Sequence, residues 1–186
     1  ADPERAGAAA PVREDAEVGL RLGLPPDWRP IPSVRYEWQF KRGAMSLGVS
    51  FDYGGPESAA MGLEAANEFA QRRLPALLMN RRAVGGGTRT VTVGGQPALL
   101  VSYREARLKP REQGQFVFLP RPRGMAIFTL TTPVAEFKTG SILFRQALEQ
   151  SEVFEPQGLD AANVALVARG QRLLPRGVPM PEHWAA

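Results

Sequence analysis

Proton-transfer catalysts need a fixed neighbour and a shaped pocket. The single histidine, His183, stands three residues from the end in the proline-rich stretch "LLPRGVPMPEHW", which offers neither. No cysteine is present, so thiolate nucleophiles, thiolate metal sites and disulfides are excluded. With its one histidine in that tail and no cysteine, the chain is poorly equipped for a Ser-His-Asp, Cys-His or zinc constellation. Glu64 and Glu68 lie one helical turn apart, a spacing that would suit a shared Ca²⁺ or a general acid. No oxygen-rich loop accompanies them, so a solvated helix face is the simpler reading. Asp52, beside "GGPES", reads as a turn residue. "GGGTRT" (Gly85 to Thr90) resembles a phosphate cradle but lacks the Lys-Ser/Thr pair and leads into a strand where a helix should open. These residues lead us to expect no enzyme, no cofactor and no metal.

Cations are the other chemistry the chain carries. Of its 23 basic residues 20 are arginine, and the net charge is +4. Arginine favours bidentate contacts to carboxylate or phosphate, although a GC-rich coding sequence gives the same bias. Arg72, Arg73, Arg81 and Arg82 gather near the end of the first expected helix. Arg104, Arg107, Lys109 and Arg111 form a second group, and Arg121 and Arg123 sit at a turn tip. A helix C-terminus by itself stabilises nearby cations. The functional alternative is a basic patch for anionic lipid, nucleic acid or an acidic partner. Acidic residues scattered through the chain argue against nucleic acid.

Alternation supplies the elements that position these groups. Val18, Leu20, Leu22 and Leu24 alternate with Gly19, Arg21 and Gly23, a first strand that Pro25-Pro26 ends. Trp28 follows as an anchor able to pack back on the sheet. Tyr36, Trp38 and Phe40, a Lys41-Arg42-Gly43-Ala44 turn, and Met45, Leu47, Val49 and Phe51 make a hairpin with one apolar face. The three aromatics read as core; left uncovered, they would mark a binding surface. Ser58 caps an expected helix carrying Leu63, Ala66, Phe69, Ala70, Leu74, Leu77 and Leu78, which Pro75 should end or kink near Leu74. Gly94-Gly95 turns one hairpin, with the "GGGTRT" stretch as a flexible lead-in, and Val91, Val93, Leu99, Val101 and Tyr103 on its strands. "GQFVFL" and "GMAIFTLTT" are apolar on both faces and should be central strands. Thr132 reads as the N-cap and Pro133 as the first residue of a closing helix that Gly140 interrupts.

At 186 residues, 44% of them hydrophobic, the chain suits one domain with flanking arms. Residues 1–16 read as a flexible N-terminal arm, 17–155 as the α/β domain, and 156–186 as a C-terminal arm with a short helix and a proline-rich tail. No window reaches the roughly 18 unbroken apolar residues of a transmembrane segment. The opening Ala1-Asp2-Pro3-Glu4, without Met, leads us to expect either an exported chain freed of its signal peptide or a chain trimmed at its start.

The element order of strand, hairpin, long helix, two hairpins and closing helix resembles the PsbP-like superfamily. Three local matches carry the resemblance: Leu24-Pro25-Pro26-Asp27-Trp28, Val91-Thr92-Val93-Gly94-Gly95-Gln96-Pro97-Ala98, and Thr131 to Phe137. The superfamily includes PsbP proteins, Mog-type Ran-binding proteins, DcrB- and LpqN-type lipoproteins and Eag-type chaperones. The resemblance implies an α+β fold, an antiparallel β-sheet flanked by helices as an α/β/α sandwich, here with extended N- and C-terminal arms. It implies accessory and binding roles and carries over no catalytic residues. The chain lacks the lipobox cysteine of a lipoprotein.

The expectation is a non-catalytic accessory protein, exported to the periplasm or cell envelope, that docks as a peripheral subunit on a larger, membrane-associated protein assembly. A cytoplasmic location is the alternative. Its partner-binding residues would be Leu173, Leu174, Val178, Met180 and Trp184 of the C-terminal arm, with Arg72, Arg73, Arg81 and Arg82. A carrier of a small apolar ligand or lipid, or a chaperone for hydrophobic segments, stand as alternatives.

Overall fold

Strands β8 (Glu112–Arg121) and β9 (Gly124–Pro133) form the middle of the molecule. Their nearly continuous apolar runs are buried on both faces, as central strands require. This computed structural model describes residues 10–53 and 62–156. Around the central pair a seven-stranded antiparallel sheet runs in the order β3-β4-β5-β9-β8-β7-β6. Its other strands are β3 (Arg29–Ile31), β4 (Trp38–Arg42), β5 (Met45–Asp52), β6 (Arg81–Val93) and β7 (Gln96–Glu105). A second sheet, ordered β1-β2-β10, joins β1 (Val12–Asp15), β2 (Leu20–Gly23) and β10 (Glu152–Val153). Residues 12–15, expected within the N-terminal arm, thus pair with β2 from Val12↔Gly23 to Asp15↔Leu20.

Two helices cover the large sheet, one on each face. Helix α1 (Gly62–Leu78) buries Ala66, Phe69 and Ala70 in a core with Leu99, Val101, Tyr103, Phe116, Phe118, Met125 and Ile127. Helix α2 (Phe137–Glu149) buries Phe144, Ala147 and Leu148 in a core with Leu47, Val49, Val117, Leu119, Phe128 and Leu130. Val18, Leu20, Leu22, Leu24 and Trp28 belong to that second core, so the alternation of the first strand and the Trp28 anchor are both realised.

Local chemistry overrides several expectations. Helix α1 runs through Pro75 to Leu78. A proline one turn from a helix end removes a single bond, and packing of Leu74, Leu77 and Leu78 against the core outweighs that loss. The helix stops at Met79, which takes a left-handed φ of 53°. Thr132 does not cap a helix: β9 continues through Pro133, and the Thr132 hydroxyl donates to the Gln113 carbonyl (3.1 Å) inside the sheet. A short 3-10 turn, Val134–Glu136, then leads into α2. Gly140 does not interrupt α2. A Cβ there would lie 2.6 Å from the Thr132 methyl, so its absence lets helix and sheet approach. The residues of "GGGTRT" lie within β6, where the register shifts between Val84 and Thr88 and Gly85 and Gly87 have positive φ. Three extra residues, 85–87, leave the ladder there, a local irregularity inside the strand.

The opening hairpin forms with a tighter turn than expected. Arg42 pairs with Met45, leaving only Gly43 and Ala44 between strands. Phe40 is fully buried and Trp38 meets Phe51 edge-on at 5.3 Å, so these two share the α2 face. Tyr36 does not. It precedes β4, and its ring lies over Gly48 on the opposite face, where a Cβ would stand about 2.5 Å from the ring. Ser58, expected as a helix cap, lies outside the described residues.

Candidate docking surface

The pairing of β6 with β7 brings the two arginine groups together. Arg81 stands opposite Glu105 and Arg82 opposite Arg104. The β7–β8 connection, residues 106–111, continues from the same end of the sheet with Arg107, Lys109 and Arg111. Ala106 donates its N–H to the Asn80 carbonyl (2.8 Å), which links this loop to the residues just after α1.

Each cation at this end has its own environment. The Arg81 side chain is nearly buried and forms a two-pronged pair with Glu112, with Nε at 3.0 Å and Nη2 at 2.7 Å from Oε1. Its guanidinium also lies 4.6 Å from the centroid of the Tyr103 ring. Arg104 donates to the Gln113 amide oxygen at 3.2 Å. Glu105 accepts the Arg111 N–H at 2.9 Å and the Arg107 guanidinium at 3.1 Å. The Arg111 N–H, helped by Arg107, holds the Glu105 carboxyl below its usual range. Arg82, Lys109 and Arg111 are exposed. Among them stand two large apolar side chains in water, Leu108 at 97% and Met79 at 75% exposure.

Of the four arginines expected to bind a partner, only Arg81 and Arg82 reach this surface. Arg72 and Arg73 lie beside the Phe69 ring, and Arg73 pairs with Asp52 at 3.6 Å. Asp52 ends β5, so its role is that ion pair rather than a turn. Arg121 is a brace: it donates to the carbonyls of Val18 (2.9 Å) and Phe154 (2.7 Å), and burial lowers its pKa. Glu64 and Glu68 are exposed on α1. Leu173, Leu174, Val178, Met180, Trp184 and His183 lie outside the described residues. Sequence reading missed Met79 and Leu108. The apolar Leu108 between Arg107 and Lys109 was the available signal, but only the structure shows it exposed among the described residues.

Arg81 Nη1 is buried without a hydrogen-bond partner among the described residues, whereas the polar side chains of Tyr103 and Gln115 hold the sheet. The Tyr103 hydroxyl donates to the Leu130 carbonyl (2.8 Å) and meets the Thr131 hydroxyl (2.7 Å). Gln115 bonds Ser102 and accepts from Ser141, tying β8 to β7 and to α2. Burial pushes the Tyr103 phenol up to about 12, against the opposing effects of Thr131 and Arg81. Tyr53 is likewise pushed up to about 12, first by burial and then by Asp15, Glu37 and Glu17. A phenol whose pKa is higher folded than unfolded keeps its full contribution below pH about 10. That contribution drains away as pH rises through about 12. The urea midpoint is therefore expected to fall steeply between pH about 10 and about 12, and less steeply in Tyr103→Phe. Tyrosinate absorbance should rise together with unfolding, and a midpoint that stayed flat across this window would contradict the assignment.

Among the described residues no His, Cys, Asp or Glu side chains group in threes to hold a metal ion, and no helix is long and apolar enough to cross a membrane.

The layered arrangement of large antiparallel sheet, one helix per face and small flanking sheet is an α+β fold of the PsbP-like kind. The sequence resemblance and the architecture agree on this. Two solved structures share the fold. Cyanobacterial PsbP (CyanoP) from Synechocystis sp. PCC 6803 matches with a TM-score of 0.59 at 14% identity, covering 79% of this chain and 94% of that one. LpqN, described as involved in cell envelope biogenesis of Mycobacterium tuberculosis, matches with a TM-score of 0.51 at 17% identity, covering 81% and 93%. No family model and no curated protein matches the chain by sequence.

Proposed function

We propose that the protein is a non-catalytic accessory protein, exported to the periplasm or cell envelope, that docks on a larger membrane-associated assembly. Docking uses the C-terminal arm, with Leu173, Leu174, Val178, Met180 and Trp184 as anchors, and the basic end of the sheet around Arg82. The observation that carries this reading is the pair of exposed apolar side chains, Met79 and Leu108, set among cations on a domain whose interior polar groups serve the fold. Val34 and Ile142 are exposed singly elsewhere on the domain, whereas Met79 and Leu108 share one end with the cations, and apolar groups rimmed by polar ones mark interaction sites. The fold shared with a cyanobacterial PsbP and with an envelope-biogenesis protein supports the accessory role and the compartment.

The carrier and chaperone readings have less support. Among the described residues, one hollow beside Val18, Phe51, Tyr53, Arg121 and Met125 measures about 10 Å³, room for one water and not for an acyl chain. A wider one of about 390 Å³, lined by Val12, Arg21, Leu24 and Glu152, is a shallow surface groove with mixed polar and apolar walls. On the α1 side, β4 and β5 present Gln39, Ser46 and Ser50, with the Tyr36 ring over Gly48, a strip that is polar apart from that ring and poorly suited to hydrophobic segments.

Deleting residues 157–186 is expected to abolish capture of protein partners from a membrane extract of the native host, with the thermal midpoint of the domain almost unchanged. Equal capture by the truncated chain would remove the arm from the proposal.

A further inference from the structure

The basic end names its own class of partner. Residues 79–82 and 104–112 carry six cations (Arg81, Arg82, Arg104, Arg107, Lys109 and Arg111) against two carboxylates. Both carboxylates are engaged, Glu105 by Arg107 and Glu112 by Arg81. The adjoining turn adds one charge of each sign, Glu136 and Lys138. The loop bearing Leu108 is held in shape by the Ala106 N–H to the Asn80 carbonyl, the Arg107 N–H to the Glu105 carbonyl, the Arg111 N–H and Arg107 guanidinium to the Glu105 carboxylate, and the Val134 N–H to the Arg111 carbonyl. Leu108 therefore stands out from a pre-ordered support, with Met79 displayed at the same end.

We propose that this end docks on the surface of an anionic lipid bilayer. Leu108 and Met79 enter the interfacial layer, and Arg82, Lys109 and Arg111 lie against headgroup phosphates. This rests on the accessory reading above and deepens it. A stable protein interface needs about 800 Å² per partner, centred on residues that fill pockets. Two exposed aliphatic side chains among cations are small for such an interface, so within the proposed membrane-associated assembly the C-terminal arm meets the protein partner and this end meets the membrane. These side chains and cations match a layer that is diffuse in charge and apolar just beneath.

The test is sedimentation of the full chain with vesicles of phosphatidylcholine alone or mixed with phosphatidylglycerol. The protein should pellet with the mixed vesicles only, and salt of about 0.5 M should release it, because screening shortens the reach of each charge. Each cation near such a surface is worth on the order of five-fold in partition. Reversing two of them, Arg82→Glu with Lys109→Glu, should lower the partition by on the order of 100-fold or more. Leu108→Ser should lower it by about five- to ten-fold at constant charge. These positions are exposed, so unchanged unfolding midpoints confirm that the variants fold. Arg145→Glu, on the exposed face of α2, serves as the charge control and should bind almost as the parent does. Failure to bind mixed vesicles overturns the proposal, and so does an Arg145→Glu loss equal to that of Lys109→Glu. If the tip variants instead lose capture of a host protein while vesicles are ignored, the surface serves an acidic protein partner. That outcome refutes the lipid assignment and leaves the accessory reading standing.

Discussion

Gly114→Ala should lower stability by about 2–4 kcal/mol, which for an ordinary denaturant slope moves the urea midpoint by about 1 M or more. Gly114 sits in β8 between Tyr103 of β7 and Thr131 of β9. The Tyr103 ring crosses over it so that the hydroxyl can reach the Leu130 carbonyl and Thr131. A Cβ at this position would overlap both the Leu130 carbonyl oxygen and the Tyr103 hydroxyl. Either the central strands separate or the tyrosine swings out and abandons its bonds. Overpacking typically costs about 1–3 kcal/mol, and the lost hydroxyl bond adds roughly 1. The double variant Gly114→Ala/Tyr103→Phe should be milder than the sum of the singles, because removing the hydroxyl removes part of the overlap. Strict additivity would show that the two residues do not compete for that space.

Arg121→Met should cost about 2–3 kcal/mol and should act locally. The guanidinium bonds Val18 and Phe154, which precede β2 and follow β10. Hydrogen bonds from a charged donor contribute roughly 1.5–3 kcal/mol each, offset in part by the burial cost that lowers the arginine pKa. Methionine keeps the packing but leaves both carbonyls without their donor. Amides of Leu20, Leu22 and Val153 should then exchange with solvent faster than those of Val117 and Phe128, with the small sheet opening ahead of the large one. Uniform acceleration across both sheets would mean that Arg121 is not a local clasp.

The contrast between the two sheets also explains what could be read from sequence. Period-two alternation and glycine-bearing turns depend only on neighbours in the chain. Thus β2, the Tyr36–Phe51 hairpin, the Gly94-Gly95 turn and the two-sided apolar runs of β8 and β9 were legible. Gly94 and Gly95 both have positive φ, as a two-residue turn of this hand demands. Strands β1, β3 and β10 are four residues or fewer and exist because a partner lies beside them, which no local pattern signals. Pro75 and Thr132 misled for the same reason. Their intrinsic preferences are real, but contacts distant in sequence decide their fate. The docking surface was half visible. Composition named the two arginine groups, and only the β6–β7 register shows that Arg81 and Arg82 join Arg104 and Arg107 while Arg72 and Arg73 turn elsewhere.

Strand β8 separates two poles. It begins at Glu112, beside the basic loop, and ends at Arg121, which grips Phe154 just before the chain leaves the described domain. Ten residues of strand span roughly 30 Å. The basic end with Leu108 and the Arg121–Phe154 contact thus lie at opposite ends of one strand. Under the docking proposed above, contacts made by the C-terminal arm and by that end would fall about 30 Å apart.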